Sequence, residues 1–234
     1  MAKPRVGLIG LGYVGLTTAV VLAYHGYDVI GVDIDPRRVE MVRRGRAPIY
    51  EPGLEEMLRT SVESGRLTAT TSYEELADAD IVFITVGTPS LSDGSINLSY
   101  VHHAAKRLGG VLVSKKGGYP VIAVKSTVTP GTARRVARII EEASGLRLGS
   151  GFGVVSNPEF LREGRAVEDT LRPSRLVIGE VDKEGASILE EFWTRFYGML
   201  ELHQETAKIA RLNFTNALGS AKDTQRPSRV FHVC

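Results

Sequence analysis

The sequence predicts an α/β fold, a doubly wound and mostly parallel sheet with helices on both faces. Three observations predict it. Short apolar runs alternate with longer stretches at helical apolar spacing. The short runs are apolar throughout, as strands buried on both faces are. The polar, glycine-bearing stretches recur just after those runs, where open α/β sheets bind their ligands.

Taken in order, 6–9 is a short apolar strand bounded by glycine, and 16–25 is a helix ending before Gly26. Residues 29–32 form the next strand, and Pro36 sits where a first helical turn tolerates it. Further strands are expected at 81–85, 121–124, 153–156 and 176–178. Helices are expected at 53–63, 100–112, 132–143 and 183–196. Glycine-rich 146–153 precedes a strand and reads as a connecting turn.

Composition narrows the function classes. The 234 residues carry 43% hydrophobic and 24% charged side chains, ordinary for a globular chain with one good core. A net charge of +2 gives no field that argues for nucleic acid. One cysteine, Cys234, excludes an internal disulfide framework and fits a reducing compartment. Lys3 and Arg5 precede an uncharged stretch, 6–24, that superficially resembles a signal peptide or membrane span. It contains glycines at motif spacing and runs into another strand with no cleavage pattern, so the chain is expected in the cytoplasm, off the membrane. His102 and His103 are adjacent and cannot face one metal together, so no metal is expected. Phe192, Trp193, Phe196 and Tyr197 read as the packed face of an amphipathic helix.

Gly10-Leu11-Gly12-Tyr13-Val14-Gly15 is a G-x-G-x-x-G run between a strand and a helix. The first glycine permits the tight turn, the second lets backbone approach a pyrophosphate, and the third lets helix pack on strand. Asp33 ends the second strand near the position of the ribose-binding acid, about 20 residues on. A carboxylate there favours NAD over NADP, although Arg37 and Arg38 could accommodate a 2′-phosphate. The opening is therefore a Rossmann-like, NAD-binding pattern.

Four more loop-like runs follow: Pro-Ile-Tyr-Glu-Pro-Gly at 48–53, Gly-Thr-Pro at 87–89, Lys-Ser-Thr-Val-Thr-Pro-Gly-Thr at 125–132 and Asn-Pro-Glu-Phe-Leu-Arg-Glu at 157–163. Together with the glycine run they resemble the UDP-glucose/GDP-mannose dehydrogenase family, whose members oxidise a sugar C6 alcohol to a carboxylate. Within it the wording is most similar to the UDP-glucose enzymes, with GDP-mannose and UDP-N-acetylmannosamine as alternative substrates. The resemblance covers residues 5 to about 207. It implies that the glycine run holds the pyrophosphate, that Asp33 and Arg38 surround the adenosine ribose, and that Gly87, Thr88 and Pro89 flank the middle of the cofactor. It places Thr127 near the nicotinamide and reacting carbon, where a hydroxyl can support a developing charge. Glu159 and Glu163 fall at the family's two glutamates, with Glu163 also beside the nicotinamide and one of the two a general base or water positioner. Phe160, Leu161 and Arg162 lie in the segment that touches the nucleotide sugar. Without that context, the two acids could equally be solvated residues at a helix start.

The resemblance also implies a domain limit. Residues 1–204 should form the NAD-binding domain, and 205–234 should open the long central helix through which members pair into oligomers and then, from about Lys208, run into a divergent or truncated tail. Here Arg211 stands at the family's lysine and Thr215 at its asparagine, or Asn216 after a slip of one. Gly219-Ser220-Ala221-Lys222-Asp223-Thr224 echoes the family's cysteine loop without its cysteine. A thiolate nucleophile splits the four-electron oxidation into two manageable steps, so the chain alone is expected to be an incomplete catalyst. A different class of reading is a non-catalytic NAD-binding module that pairs with a partner chain through an exposed apolar face.

Overall fold

The computed structural model describes residues 3–115, 117–200 and, for the backbone, 208–213. Among these residues eight strands form one sheet in the order β3-β2-β1-β4-β5-β6-β7-β8. They are β1 (Val6–Ile9), β2 (Val29–Val32), β3 (Leu67–Thr70), β4 (Ile81–Ile84), β5 (Val121–Val124), β6 (Gly153–Ser156), β7 (Arg175–Glu180) and β8 (Lys208–Asn213). All neighbours run parallel except β6 and β7. The order reverses between β1 and β4, and the crevice beyond Ile9 and Ile84 is where such a sheet takes a ligand.

Among the described residues seven α-helices connect the strands: α1 (Tyr13–Tyr24), α2 (Pro36–Arg43), α3 (Leu54–Glu63), α4 (Ser99–Leu112), α5 (Thr132–Ser144), α6 (Ala166–Leu171) and α7 (Lys183–Met199). Strands β1, β2, β4 and β5 are buried at every position because helices cover both faces. One face packs Leu8, Phe83 and Ala123 against α1, α3 and α7; the other packs Ile9, Ile84 and Val124 against α4 and α5. Helix α1 is buried from Gly15 to Ala23, so the uncharged stretch at 6–24 is a core strand feeding a core helix. No described helix is long and apolar enough to cross a membrane.

The aromatic group on α7 is core, as its spacing predicts. Phe192, Trp193 and Phe196 are at most 4% exposed, and the Trp193 ring lies 5.6 Å from that of Phe83 on β4. Each such ring removes on the order of 150–250 Å² from water, roughly 4–6 kcal/mol of gross transfer free energy.

Residues 208–213, where a divergent tail was expected after the start of the central helix, form β8, paired in register with β7 from Arg175↔Lys208 to Glu180↔Asn213. Without that partner the outer edge of β7 would present unpaired N–H and C=O groups. Helix α7 supplies the crossover that parallel neighbours need. Arg211 lies in this strand, whereas Thr215, Asn216, the 219–224 run and Cys234 lie outside the described residues.

Candidate functional site

The glycine loop joins β1 to α1, and each glycine answers a different demand. Gly10 has φ 97°, in the left-handed region, and a side chain there would meet the Thr85 carbonyl oxygen at 2.9 Å. A Cβ on Gly15 would fall 1.8 Å from the Gly10 carbonyl oxygen. At Gly12 the nearest atom is the tip of Arg38, 3.5 Å away, so the space above that residue is open. No side chain caps α1 and no acid occupies its first turn. The first-turn N–H groups lack intrahelical acceptors, and the helix dipole favours an anion beside them. The geometry fits a dinucleotide pyrophosphate. Leu11 is buried in the core, whereas Tyr13 and Val14 are half-buried at the rim.

Asp33, at the end of β2, is 8% exposed. Its Oδ2 accepts a 2.7 Å hydrogen bond from the Leu11 backbone N–H, and its Oδ1 accepts from the Asp35 N–H. The acid therefore fastens the glycine loop while facing the crevice. Arg38 lies across it, Nη1 to Oδ2 at 3.8 Å, whereas Arg37 points outward onto Asp35. Ile34, next to Asp33, is 73% exposed.

The loops beyond β4 and β5 are tied together. The Thr88 hydroxyl donates to the Thr127 carbonyl oxygen at 2.8 Å, and Ser126 donates to the Val86 carbonyl oxygen at 2.7 Å. Gly87, Pro89 and Thr127 are exposed on this rim.

Beyond β6, Asn157 is fully buried and binds three elements. Its N–H donates to the Val124 carbonyl, its amide donates to the Val177 carbonyl, and its Oδ1 accepts from Trp193 Nε1. The segment that follows gives its two acids different neighbours. Glu159 accepts from the Leu161 N–H at 2.6 Å and lines a cleft of about 560 Å³ with Lys125, Phe160, Arg175 and Trp193. Glu163 is exposed, does not line that cleft, and is close enough to Tyr13 to act on its phenol. The Phe160 ring carries the Arg175 guanidinium 4.1 Å above it.

Arg162 is committed elsewhere. Its guanidinium makes a bidentate pair with Asp169, at 3.0 and 2.6 Å, so the segment offers a ligand its backbone and Phe160 more than this charge. That pairing holds the Asp169 carboxyl below its ordinary range. Its stabilisation is complete above the unfolded carboxylate pKa of about 4 and is lost as pH falls through the lower folded value. Asp169→Asn is accordingly expected to cost about 1 kcal/mol at pH 7, because the arginine is solvated. Urea midpoints should show that difference closing below pH 4; a gap that persisted in acid would refute the pairing as its source.

Two residues in the site were not given roles from sequence. Lys125, 7% exposed at the end of β5, has its ammonium 5.7 Å from the centre of the Trp193 ring, and burial pushes its pKa down to about 8 against the opposing pull of Glu159. Glu51, 5% exposed, accepts from the Tyr13 hydroxyl, the Gly164 N–H and the Ala166 N–H. Nothing in linear spacing links position 51 to 13 or 164. Among the described residues no His, Cys, Asp or Glu cluster could hold a metal.

Residues 4–197 match the UDP-glucose/GDP-mannose dehydrogenase family, NAD binding domain. The chain belongs to that family. It is 45% identical over 209 residues to UDP-glucose 6-dehydrogenase YwqF of Bacillus subtilis, covering 89% of this chain and 46% of that protein. It is 37% identical over 229 residues to GDP-mannose 6-dehydrogenase of Pseudomonas aeruginosa, covering 92% and 52%. Among solved structures, a ternary complex of GDP-mannose dehydrogenase from Pseudomonas aeruginosa superposes with TM-score 0.82 at 39% identity, over 89% of this chain and 46% of that one. A UDP-glucose dehydrogenase from Pyrobaculum islandicum gives 0.80 at 43%, over 91% and 46%. The chain spans about half the length of the relatives it matches. The cofactor of the matched domain is NAD, as the glycine loop and Asp33 predict.

Proposed function

We propose that this chain is the cofactor-binding half of an NAD-dependent nucleotide-sugar 6-dehydrogenase whose substrate is UDP-glucose and whose product is UDP-glucuronate. The observation that carries the reading is the joined pair of Gly12, open above its backbone, and Asp33, fixed beneath the same loop. Bound NAD supplies a hydride acceptor. The first turn of α1 receives the pyrophosphate, Asp33 accepts from the ribose hydroxyls, and exposed Ile34 offers an apolar cover for adenine. The Gly87–Thr88–Pro89 rim, tied to Thr127, borders the nicotinamide half and leaves the Thr127 hydroxyl to face substrate. Glu159 positions water or takes a proton beside Lys125, whose ammonium offsets negative charge in the cleft. Glu163, near Tyr13, meets the nicotinamide side.

GDP-mannose is the second reading, favoured by the Pseudomonas aeruginosa relative that aligns over 92% of the chain. Calorimetry is expected to show NAD binding with clear preference over NADP. A folded chain that takes up neither would refute the cofactor reading. Titration of the NAD-loaded chain with UDP-glucose and GDP-mannose decides between the sugars, and stronger binding of GDP-mannose would overturn the first choice.

A further inference from the structure

The Glu51 carboxylate is buried, and its hydrogen-bond donors are a phenol and two backbone amides. An anion held this way is costly unless hydrogen bonds replace its hydration. Here the replacements come from two separate segments: the Tyr13 hydroxyl on the glycine loop, and the N–H groups of Gly164, at 2.7 Å, and Ala166, at 3.1 Å, beyond Glu163. The same hydroxyl reaches the Arg162 carbonyl oxygen at 3.0 Å. Residues 157–165 have no helix or strand of their own, so the contacts at Glu51 are a main anchor for their far end. A carboxylate needed only to cap α6 would not require a phenol from the dinucleotide loop.

We propose that Glu51 is a positioning residue that couples the two halves of the site, so that a dinucleotide seated on the glycine loop firms the Glu159–Glu163 segment through Tyr13, Glu51 and Gly164. The inference rests on the NAD-binding reading above. A ligand on the first turn of α1 fixes the Tyr13 backbone; Tyr13 fixes Glu51; Glu51 fixes the two amides. Local opening of linked segments then shares one free energy.

The test is amide hydrogen exchange on this chain, with and without saturating NAD, in the wild type and in Glu51→Gln, Glu51→Ala and Tyr13→Phe. In the wild type, NAD is expected to slow exchange at Gly164 and Ala166 by about tenfold, within the usual range of coupling between sites. In the variants, NAD should still protect residues 11–15 while its effect at Gly164 and Ala166 falls to about twofold or less. A merely structural Glu51 would raise exchange at those amides equally in free and bound protein, leaving the NAD-induced ratio unchanged, and that result would overturn the proposal. Tyr13→Phe removes a single oxygen atom and keeps the test decisive if Glu51→Ala fails to fold. NAD binding without protection at 164 and 166 in the wild type defeats the coupling alone. Absence of NAD binding by folded wild type defeats the functional reading and the coupling with it.

Discussion

Asp33→Ala is expected to weaken NAD binding by roughly 10- to 100-fold. A hydrogen bond to a charged group contributes about 1.5–3 kcal/mol, and about 1.4 kcal/mol is a factor of ten. Two effects add. The ribose loses its acceptor, and the Leu11 N–H loses the 2.7 Å partner that fastens the glycine loop. NADP should suffer less, because Arg38, now 3.8 Å from the carboxylate, would be released toward a 2′-phosphate. The NAD-to-NADP ratio therefore narrows. Asp33→Asn separates the effects, since its amide oxygen can still accept from Leu11. Calorimetric titration with both cofactors checks this, and unchanged NAD affinity in Asp33→Ala would remove the central support of the functional reading.

Gly15→Ala is expected to cost about 3 kcal/mol or more, at the top of the range for overpacking a tight interior. The added methyl carbon would fall 1.8 Å from the Gly10 carbonyl oxygen and 2.5 Å from the Thr85 hydroxyl oxygen. One of those atoms is backbone, and the other already donates to the Ile9 and Gly10 carbonyls. Neither can step aside without opening the β1–α1 turn. For a chain of this size the loss corresponds to a melting point lower by roughly 6–12 °C. Gly12→Ala is the matched control. Its methyl would meet only the movable tip of Arg38, so stability should stay within about 0.5 kcal/mol while dinucleotide affinity drops. Equal melting points for Gly15→Ala and wild type would contradict the close approach.

The central strands and the large helices are legible because burial on both faces writes itself into continuous apolar runs. The smaller pieces are not. Strand β3 lies at the sheet edge with alternating exposure, and its Leu-Thr-Ala-Thr carries little apolar signal. Helix α6 has six residues and takes its N-terminal support from Glu51, which is distant in sequence. Helix α1 begins at Tyr13, three residues before the apolar spacing suggests, because Gly15 lies inside the helix for contact reasons and not as a breaker. Strand β8 was not expected, because its Lys-Ile-Ala-Arg-Leu-Asn carries little apolar signal and its place is set by pairing with β7. In the site, the glycines and Asp33 announce themselves by spacing. The different neighbours of Glu159 and Glu163, the diversion of Arg162 to Asp169, and the burial of Lys125 and Glu51 are tertiary facts.

Asn157 has a consequence for how this scaffold can change. It roots the start of the Glu159–Glu163 stretch in the immovable interior, through Val124, Val177 and Trp193. The stretch is thus pinned at its origin by the core and at its terminus by a separate anchor, like a bridge deck resting on two piers. Phe160 and Leu161 lie at mid-span, and neither makes the hydrogen bonds of either support. Such an arrangement lets one frame diversify its preference by altering the span alone, which suits a family whose members act on different nucleotide sugars.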